Sequence, residues 1–254
     1  MATPDDHALA ADLATRAGVL LMEVRGRLAS GNTSLEALKR EGDQRSHEFL
    51  MGALAKHRPQ DAVLSEEGAA AAVHPDRTGT SRVWIVDPVD GTREYGDPSR
   101  TDWAVHVALA EDGRPTAGAV ALPALDLTLS TMSLSNPKDL PSIPDRPRVV
   151  VSRSRPPTEA VNVCNALGGV VVELGSAGAK AMAVVRGEAE AYVHSGGQYE
   201  WDSCAPVAVA IAAGLHTSRI DGTPLRYNST DPYLPDLVIC RVELAEAVLA
   251  ALAG

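Results

Sequence analysis

Asp87-Pro88-Val89-Asp90-Gly91-Thr92, reached through the apolar run Val83-Trp84-Ile85-Val86, constrains this chain more than any other segment. The run is short, apolar and rich in β-branched side chains, which predicts a buried strand. Pro88 and Gly91 predict a tight turn where that strand ends. Two carboxylates on such a turn can point into one site, with the Val89 carbonyl between them. All three are hard oxygen donors, suited to Mg²⁺ and to the chemistry of phosphate esters. A solvated Asp-rich loop is the commoner meaning of an Asp pair. It leaves unexplained the further acids at Glu66, Glu67 and Asp202.

The flanking sequence predicts helices and strands in alternation. Leu9, Leu13, Val19, Leu20, Val24 and Leu28 recur at near-helical spacing, predicting a first helix over 5–29. A second is expected over 43–57, before Pro59. Ala62-Val63-Leu64 reads as a strand running into Ser65-Glu66-Glu67-Gly68, followed by a surface loop over 69–81. Further strands are expected over 103–109, 117–122 and 127–132, the first two joined by the turn Glu111-Asp112-Gly113. Pro137, Pro141, Pro144 and Pro147 predict a connection over 135–147 between an N-terminal α+β half (1–134) and a C-terminal α/β half (148–254). Beyond it, strands are expected over 148–152, 170–174 and 190–193, and helices over 157–167 and 179–186. A last helix over 202–213 stops at Gly214, with Asp202 as its N-cap and Pro206 in its first turn. The alternation suggests layered α/β architecture.

Composition removes several functions. A formal charge of −10 over 254 residues offers no basic field for tracking a nucleic-acid backbone. Cys164, Cys204 and Cys240 are odd in number and widely spaced, so neither a zinc site nor a disulfide framework is expected. Residues 1–10 lack the basic and apolar regions of a signal peptide, and no apolar run approaches the ~20 residues of a membrane span. A cytoplasmic protein is expected. The seven histidines form no ligand pair, and Ser195-Gly196-Gly197 reads as a turn outside any phosphate-binding loop motif. Arg146, Arg148, Arg153 and Arg155 read as solvated surface, with Arg155 the one candidate exception.

Together, Ser65-Glu66-Glu67, Asp87 to Thr92, and Trp201-Asp202 with its Ala-rich helix resemble the inositol monophosphatase superfamily, in family order and over nearly the whole chain. The resemblance implies a layered α-β-α-β-α sandwich of the inositol monophosphatase and fructose-1,6-bisphosphatase type. It also implies two or three Mg²⁺ ions, Li⁺ sensitivity and a homodimer. Glu66, Asp87 and the Val89 carbonyl are implied as ligands of a first ion, and Asp87, Asp90 and Asp202 of a second. Asp43 and Thr92 are implied to hydrogen-bond each other and activate the attacking water beside Glu66, with Gly91 and Thr92 amides at the phosphate. Crowded carboxylates repel one another, so metal is the usual meaning of such a set.

Within the superfamily, Arg93-Glu94-Tyr95, Val151-Ser152-Arg153-Ser154, Gly175-Ser176 with Lys180, and Glu200 resemble the CysQ-type 3′(2′),5′-bisphosphate nucleotidases. Arg155 replaces that branch's His, one extra residue precedes Lys180, and Ala205-Pro206 replaces the usual Ala-Gly. Ser176, Lys180 and Arg155 are implied to bind a second phosphate, and Asp202 to face the substrate as well as metal. A small phosphorylated nucleotide is thus the implied substrate, without nucleic-acid or membrane partners. Inositol, fructose or histidinol phosphates are the alternatives on the same scaffold, and a non-catalytic binding protein is the alternative outside enzymes.

Overall fold

The computed structural model describes residues 1–27, 34–68, 76–132 and 140–253. Helix α1 (Pro4–Gly26) starts at a capping box: Asp6 N–H donates to Thr3 Oγ1 (3.3 Å) and Thr3 N–H donates to Asp6 Oδ2 (2.8 Å). It ends before Leu28, which lies outside the described residues, as do 69–75 of the expected loop and 135–139 of the Pro-rich connection. Helix α2 (Leu35–His57) begins eight residues earlier than expected, on a Ser34 cap. Its buried stripe is Leu38, Gly42, Ser46, Leu50 and Leu54, and the small and polar residues in the middle hid the period.

The first sheet has the order β1-β2-β3-β4-β5, from β1 (Ala62–Ser65), β2 (Arg82–Asp90), β3 (Ala104–Glu111), β4 (Arg114–Leu122) and β5 (Leu127–Ser130). Only the β1–β2 pair is parallel. Asp112 and Gly113 make the β3–β4 turn, both at positive φ (+50° and +75°), as a two-residue hairpin turn matching the strand twist requires. The predicted turn at Pro88 is not there: β2 runs on to Asp90. Between the pairs Asp87–His106 and Asp90–Ala104, β2 advances three residues and β3 two. That extra residue is a β-bulge, one of the few places a sheet accepts proline.

The second sheet has the order β7-β6-β8-β10-β9, from β6 (Arg148–Ser152), β7 (Val170–Leu174), β8 (Ala191–Tyr199), β9 (His216–Ser218) and β10 (Tyr233–Cys240). Strand β8 passes straight through the expected turn at 195–197. Gly196 and Gly197, at φ +73° and +84°, form a bulge against β10. Helices α4 (Thr158–Ala166), α5 (Ala177–Val185), α6 (Glu200–Ala212) and α7 (Ala245–Ala253) complete the chain.

Strand alternation sorts the layers. Trp84 and Val86 pack with Leu13, Leu21, Leu50 and Leu54 of α1 and α2. Val83 and Ile85 face the other way, into a core shared with Met182 of α5, Val209 of α6, and Val150 and Ile239 of the second sheet. Val149, Val151 and Val193 turn outward onto Val163 of α4 and Val248 of α7. The result is α1/α2, sheet, α5/α6, sheet, α4/α7, which is the expected α-β-α-β-α sandwich. Among the described residues no helix is long and apolar enough to cross a membrane.

Candidate active site

The bulge in β2 builds the centre of the site. Asp87 and Asp90 are an odd number of residues apart, so a regular strand would send them to opposite faces. The extra residue turns Asp90 toward α5 and α6, the side Asp87 already faces. Helix α2 holds the distortion in place: Ser46 Oγ donates to the Pro88 carbonyl (2.8 Å), and His47 Nδ1 lies 3.0 Å from Ser65 Oγ beside Glu66.

Helix α6 supplies the third acid. It begins at Glu200 after an N-cap at Tyr199, so Asp202 is its third residue and not its cap. Asp202 reaches back to accept the Tyr199 N–H at 2.7 Å, which fixes one oxygen and leaves the other for the site. Pro206 falls in the second turn, where it offers no N–H to the Asp202 carbonyl four residues back. Asp87, Asp90 and Asp202 each bring one carboxylate oxygen into a group whose atoms all lie within 4.8 Å.

Burial and crowding set the charges. Asp87 is pushed far above the usual carboxylate range by burial and by Glu66, Asp90 and Asp202. Asp202 is raised to about 7 by burial and Asp90, and Glu66 to about 7 by burial with Asp90, Glu67 and Asp43 around it. Asp90 behaves oppositely. Burial favours its proton, but the His106 imidazole (Nε2 to Oδ2, 3.1 Å) and the Gly178 amide outweigh burial and hold it below its ordinary value. The α5 N-terminus supplies two donors to it, Ala177 N–H to Oδ1 (3.1 Å) and Gly178 N–H to Oδ2 (2.6 Å). Three carboxylate oxygens in one spot, with Asp87 and Asp202 lacking a cation to balance their crowding, fit a hard divalent cation.

His106 escaped the sequence reading. It is fully buried, touches Asp90 through Nε2, and lies 2.9 Å from the Trp201 carbonyl through Nδ1. It therefore joins the first sheet to the start of α6. The available signal was a His inside the apolar strand 103–109, paired with Asp87 in the register.

The remaining expected residues divide. Gly91 (φ +86°) caps the short helix α3 (Thr92–Tyr95), and a methyl there would come within 2.8 Å of Ser176 Cβ. The Thr92 hydroxyl donates to the Val89 carbonyl (3.3 Å) and not to Asp43, because that carbonyl lies one turn back on the same segment. Asp43 is half-buried on α2, and burial with the neighbouring Glu67 raises it to about 6. Ser176 spends its hydroxyl capping α5 at the Ala179 N–H (3.0 Å). Lys180 is buried, donating to the carbonyls of Gly175 (2.5 Å) and Ser176 (2.7 Å) over the Tyr192 ring. It points inward, back onto the entry of its own helix. Arg155 is exposed and lines a pocket of about 330 Å³ with Ser152, Thr158, His194 and Ser195.

Comparison with known proteins agrees with this geometry. The family model described as "Inositol monophosphatase family" matches residues 5–253. A protein of Mycobacterium leprae named 3′-phosphoadenosine 5′-phosphate phosphatase is 48% identical, over 97% of this chain and 93% of its own. One of the same name from Mycobacterium tuberculosis is 47% identical, over 93% of this chain and 89% of its own. The crystal structure of CysQ from Bacteroides thetaiotaomicron superposes with a TM-score of 0.77 at 24% identity, covering 93% of this chain and 97% of that one, a likeness of fold. The five layers, the three converging acids and a family match from α1 to α7 lead to one conclusion: the chain belongs to the inositol monophosphatase family.

Proposed function

We propose that this protein is a Mg²⁺-dependent phosphomonoesterase that hydrolyses 3′-phosphoadenosine 5′-phosphate to AMP and phosphate, and its 5′-phosphosulfate relative likewise. The observation that carries the reaction class is the convergence of Asp87, Asp90 and Asp202. The names of the relatives at 47–48% identity supply the nucleotide. Glu66, Asp87, the Val89 carbonyl, Asp90 and Asp202 would hold two or three ions. When bound, Mg²⁺ supplies charge neutralisation at the phosphate oxygens and at the leaving alkoxide.

The chain's own residues do the rest. Gly91 and Thr92 present backbone amides to the phosphate, and the αL backbone at Gly91 aims them. Asp43 and Thr92 orient the attacking water. Glu66, a carboxylate beside that water, takes its proton. Asp202 faces the substrate with its remaining oxygen. Arg155, on its own pocket, is assigned the second phosphate. Lys180 and Ser176 act through the start of α5, as its buried charge and its cap.

The test is phosphate release with Mg²⁺ from 3′-phosphoadenosine 5′-phosphate, inositol-1-phosphate, fructose-1,6-bisphosphate and histidinol phosphate, compared by kcat/KM. A nucleotide preference of more than about 100-fold is expected from pairing a second dianionic group. Equal or greater efficiency on the inositol or sugar phosphates would overturn the substrate assignment while leaving the metal chemistry standing.

A further inference from the structure

Two sequence elements outside the acid cluster meet in space: Arg93-Glu94-Tyr95, just past the Gly91 turn, and Val151-Ser152-Arg153-Ser154, at the end of β6. The contact is made by Arg153. Its Nη2 donates to Asp102 Oδ2 at 2.6 Å, and its Nη1 lies 3.6 Å from Glu94 Oε1. The side chain is only 25% exposed and Asp102 9%, so this is a largely desolvated cluster in place of the solvated surface the sequence suggests for Arg153. Burial works against the Asp102 charge, but Arg153 and the Gly175 amide prevail and hold its carboxyl below the ordinary range.

From Asp102 the contacts lead to the site. Asp102 Oδ2 also accepts the Gly175 N–H at 2.7 Å, and the Asp102 carbonyl accepts the Ser176 N–H at 3.1 Å. Glu94 packs so closely over Gly175 that a methyl there would lie 2.5 Å from its Cδ. Arg153 fastens the same turn through its backbone, its N–H donating to the Leu174 carbonyl at 3.0 Å. The turn so held, Gly175-Ser176, leads directly into Ala177 and Gly178, whose amides grip the two oxygens of Asp90. No described contact joins Arg153 to the acids themselves.

We infer that Arg153 is a positioning residue for the metal centre: by holding Asp102 and Glu94 it fixes the start of α5, and through the amides of Ala177 and Gly178 it fixes the orientation of Asp90. The inference rests on the metal reading of the acid cluster and on no particular substrate. Without the guanidinium, Asp102 and Glu94 lose their direct ion-pair partner and keep only the weaker field of the buried Lys180 ammonium, and the turn between them loses its outer support. Lysine keeps the charge but cannot address two carboxylates in a fork.

The test compares wild type, Arg153→Met and Arg153→Lys, all stripped of metal. Calorimetric titration with Mg²⁺ is run beside amide hydrogen exchange at Ala177 and Gly178. Arg153→Met is expected to weaken Mg²⁺ binding by about 10–100-fold, as loss of supporting contacts around metal ligands does, and to speed exchange at both amides. Arg153→Lys is expected to fall between it and wild type, and serves alone if the Met variant does not fold. Unchanged Mg²⁺ affinity and unchanged exchange, even with a lower Tm, would overturn the inference and leave Arg153 a plain structural contact. A wild type that binds no Mg²⁺ would overturn the metal reading, while faster exchange in the variants would still report the link to α5.

Discussion

Asp87→Asn and Asp90→Asn remove the same charge from positions three residues apart, and the structure gives them opposite effects on the metal-free fold. At Asp90 both oxygens accept backbone amides, from Ala177 (3.1 Å) and Gly178 (2.6 Å), and His106 Nε2 stands 3.1 Å away. Asparagine keeps one acceptor and turns an N–H₂ toward the other amide, so a buried donor is left unpaired. That costs about 1–3 kcal/mol, or about 2–4 °C of Tm for each kcal/mol in a chain of this length. At Asp87 the hydrogen bond accepted from Val89 N–H at 3.0 Å is equally available to an asparagine oxygen, and the one shared with Glu66 to its N–H₂. The charge removed there is one that burial and three neighbouring acids already oppose. Asp87→Asn should leave the Tm of the metal-free protein unchanged or raise it. Both variants should lose phosphate release by more than about 100-fold. Differential scanning calorimetry after chelation, beside a phosphate-release assay, reads both quantities. Equal stability losses in the two variants would refute the reading of Asp90 as an anchored carboxylate. Near-normal turnover in either would refute the metal assignment.

Chelation with EDTA should abolish phosphate release, and Mg²⁺ at about 100 times its Kd should restore it and add about 2.7 kcal/mol of stability; turnover that survives chelation would remove metal from the reaction. Gly178→Ala sets a methyl into His106 Nε2, 2.9 Å from Ala104 Cβ and 3.0 Å from Asp90 Oδ2. It should destabilise by about 1–3 kcal/mol and impair turnover, and an unchanged Tm would show that α5 stands farther off. Asp6 is buried at α1, and despite that burial the Thr3 amide and the Arg58 and Arg82 guanidiniums hold it at about 2 against an ordinary 3.8. A depressed carboxyl stabilises above its unfolded pKa and loses that contribution as pH falls. Asp6→Asn should therefore cost about 1.5–3 kcal/mol at neutral pH, with the gap to wild type closing between 3.8 and about 2 in an acid titration. A gap that persists below that window would point to packing in place of charge.

The acids could be read in the sequence because each belongs to a short local pattern: a strand running into Asp87 to Thr92, a strand running into Glu66, and a helix start at Asp202. How they are brought together could not. The bulge that aligns Asp87 with Asp90 looks like a turn when only Pro88 and Gly91 are seen, because proline marks both. The same ambiguity hid the second half of β8, where Gly196 and Gly197 bend a strand without ending it. Strand β10 went unseen because Pro235 and Asp236 interrupt its apolar pattern. Lys180 shows a different limit. Its charge and the resemblance around it suggested a ligand for phosphate, but the structure points it at the carbonyls of its own helix start. His106 and Arg153 were legible as residue types and opaque as partners, since their contacts lie 16 to 95 positions away in sequence.

The order of synthesis gives the central helix layer a consequence of its own. A ribosome delivers the first sheet complete at Ser130, yet the helices that cover its inner face arrive only with residues 177–212. Until then Val83, Ile85, Ala108 and Val120 have no partners on that side, so the nascent first half cannot settle by itself. Asp87 and Asp90 belong to that face, and their partners on it, Asp202 and the α5 amides, lie within the same later residues. They are buried together, against Asp202 and the α5 amides, when the middle layer slides in. Completing the acid cluster thus needs residues 177–202 and is a long-range event of folding.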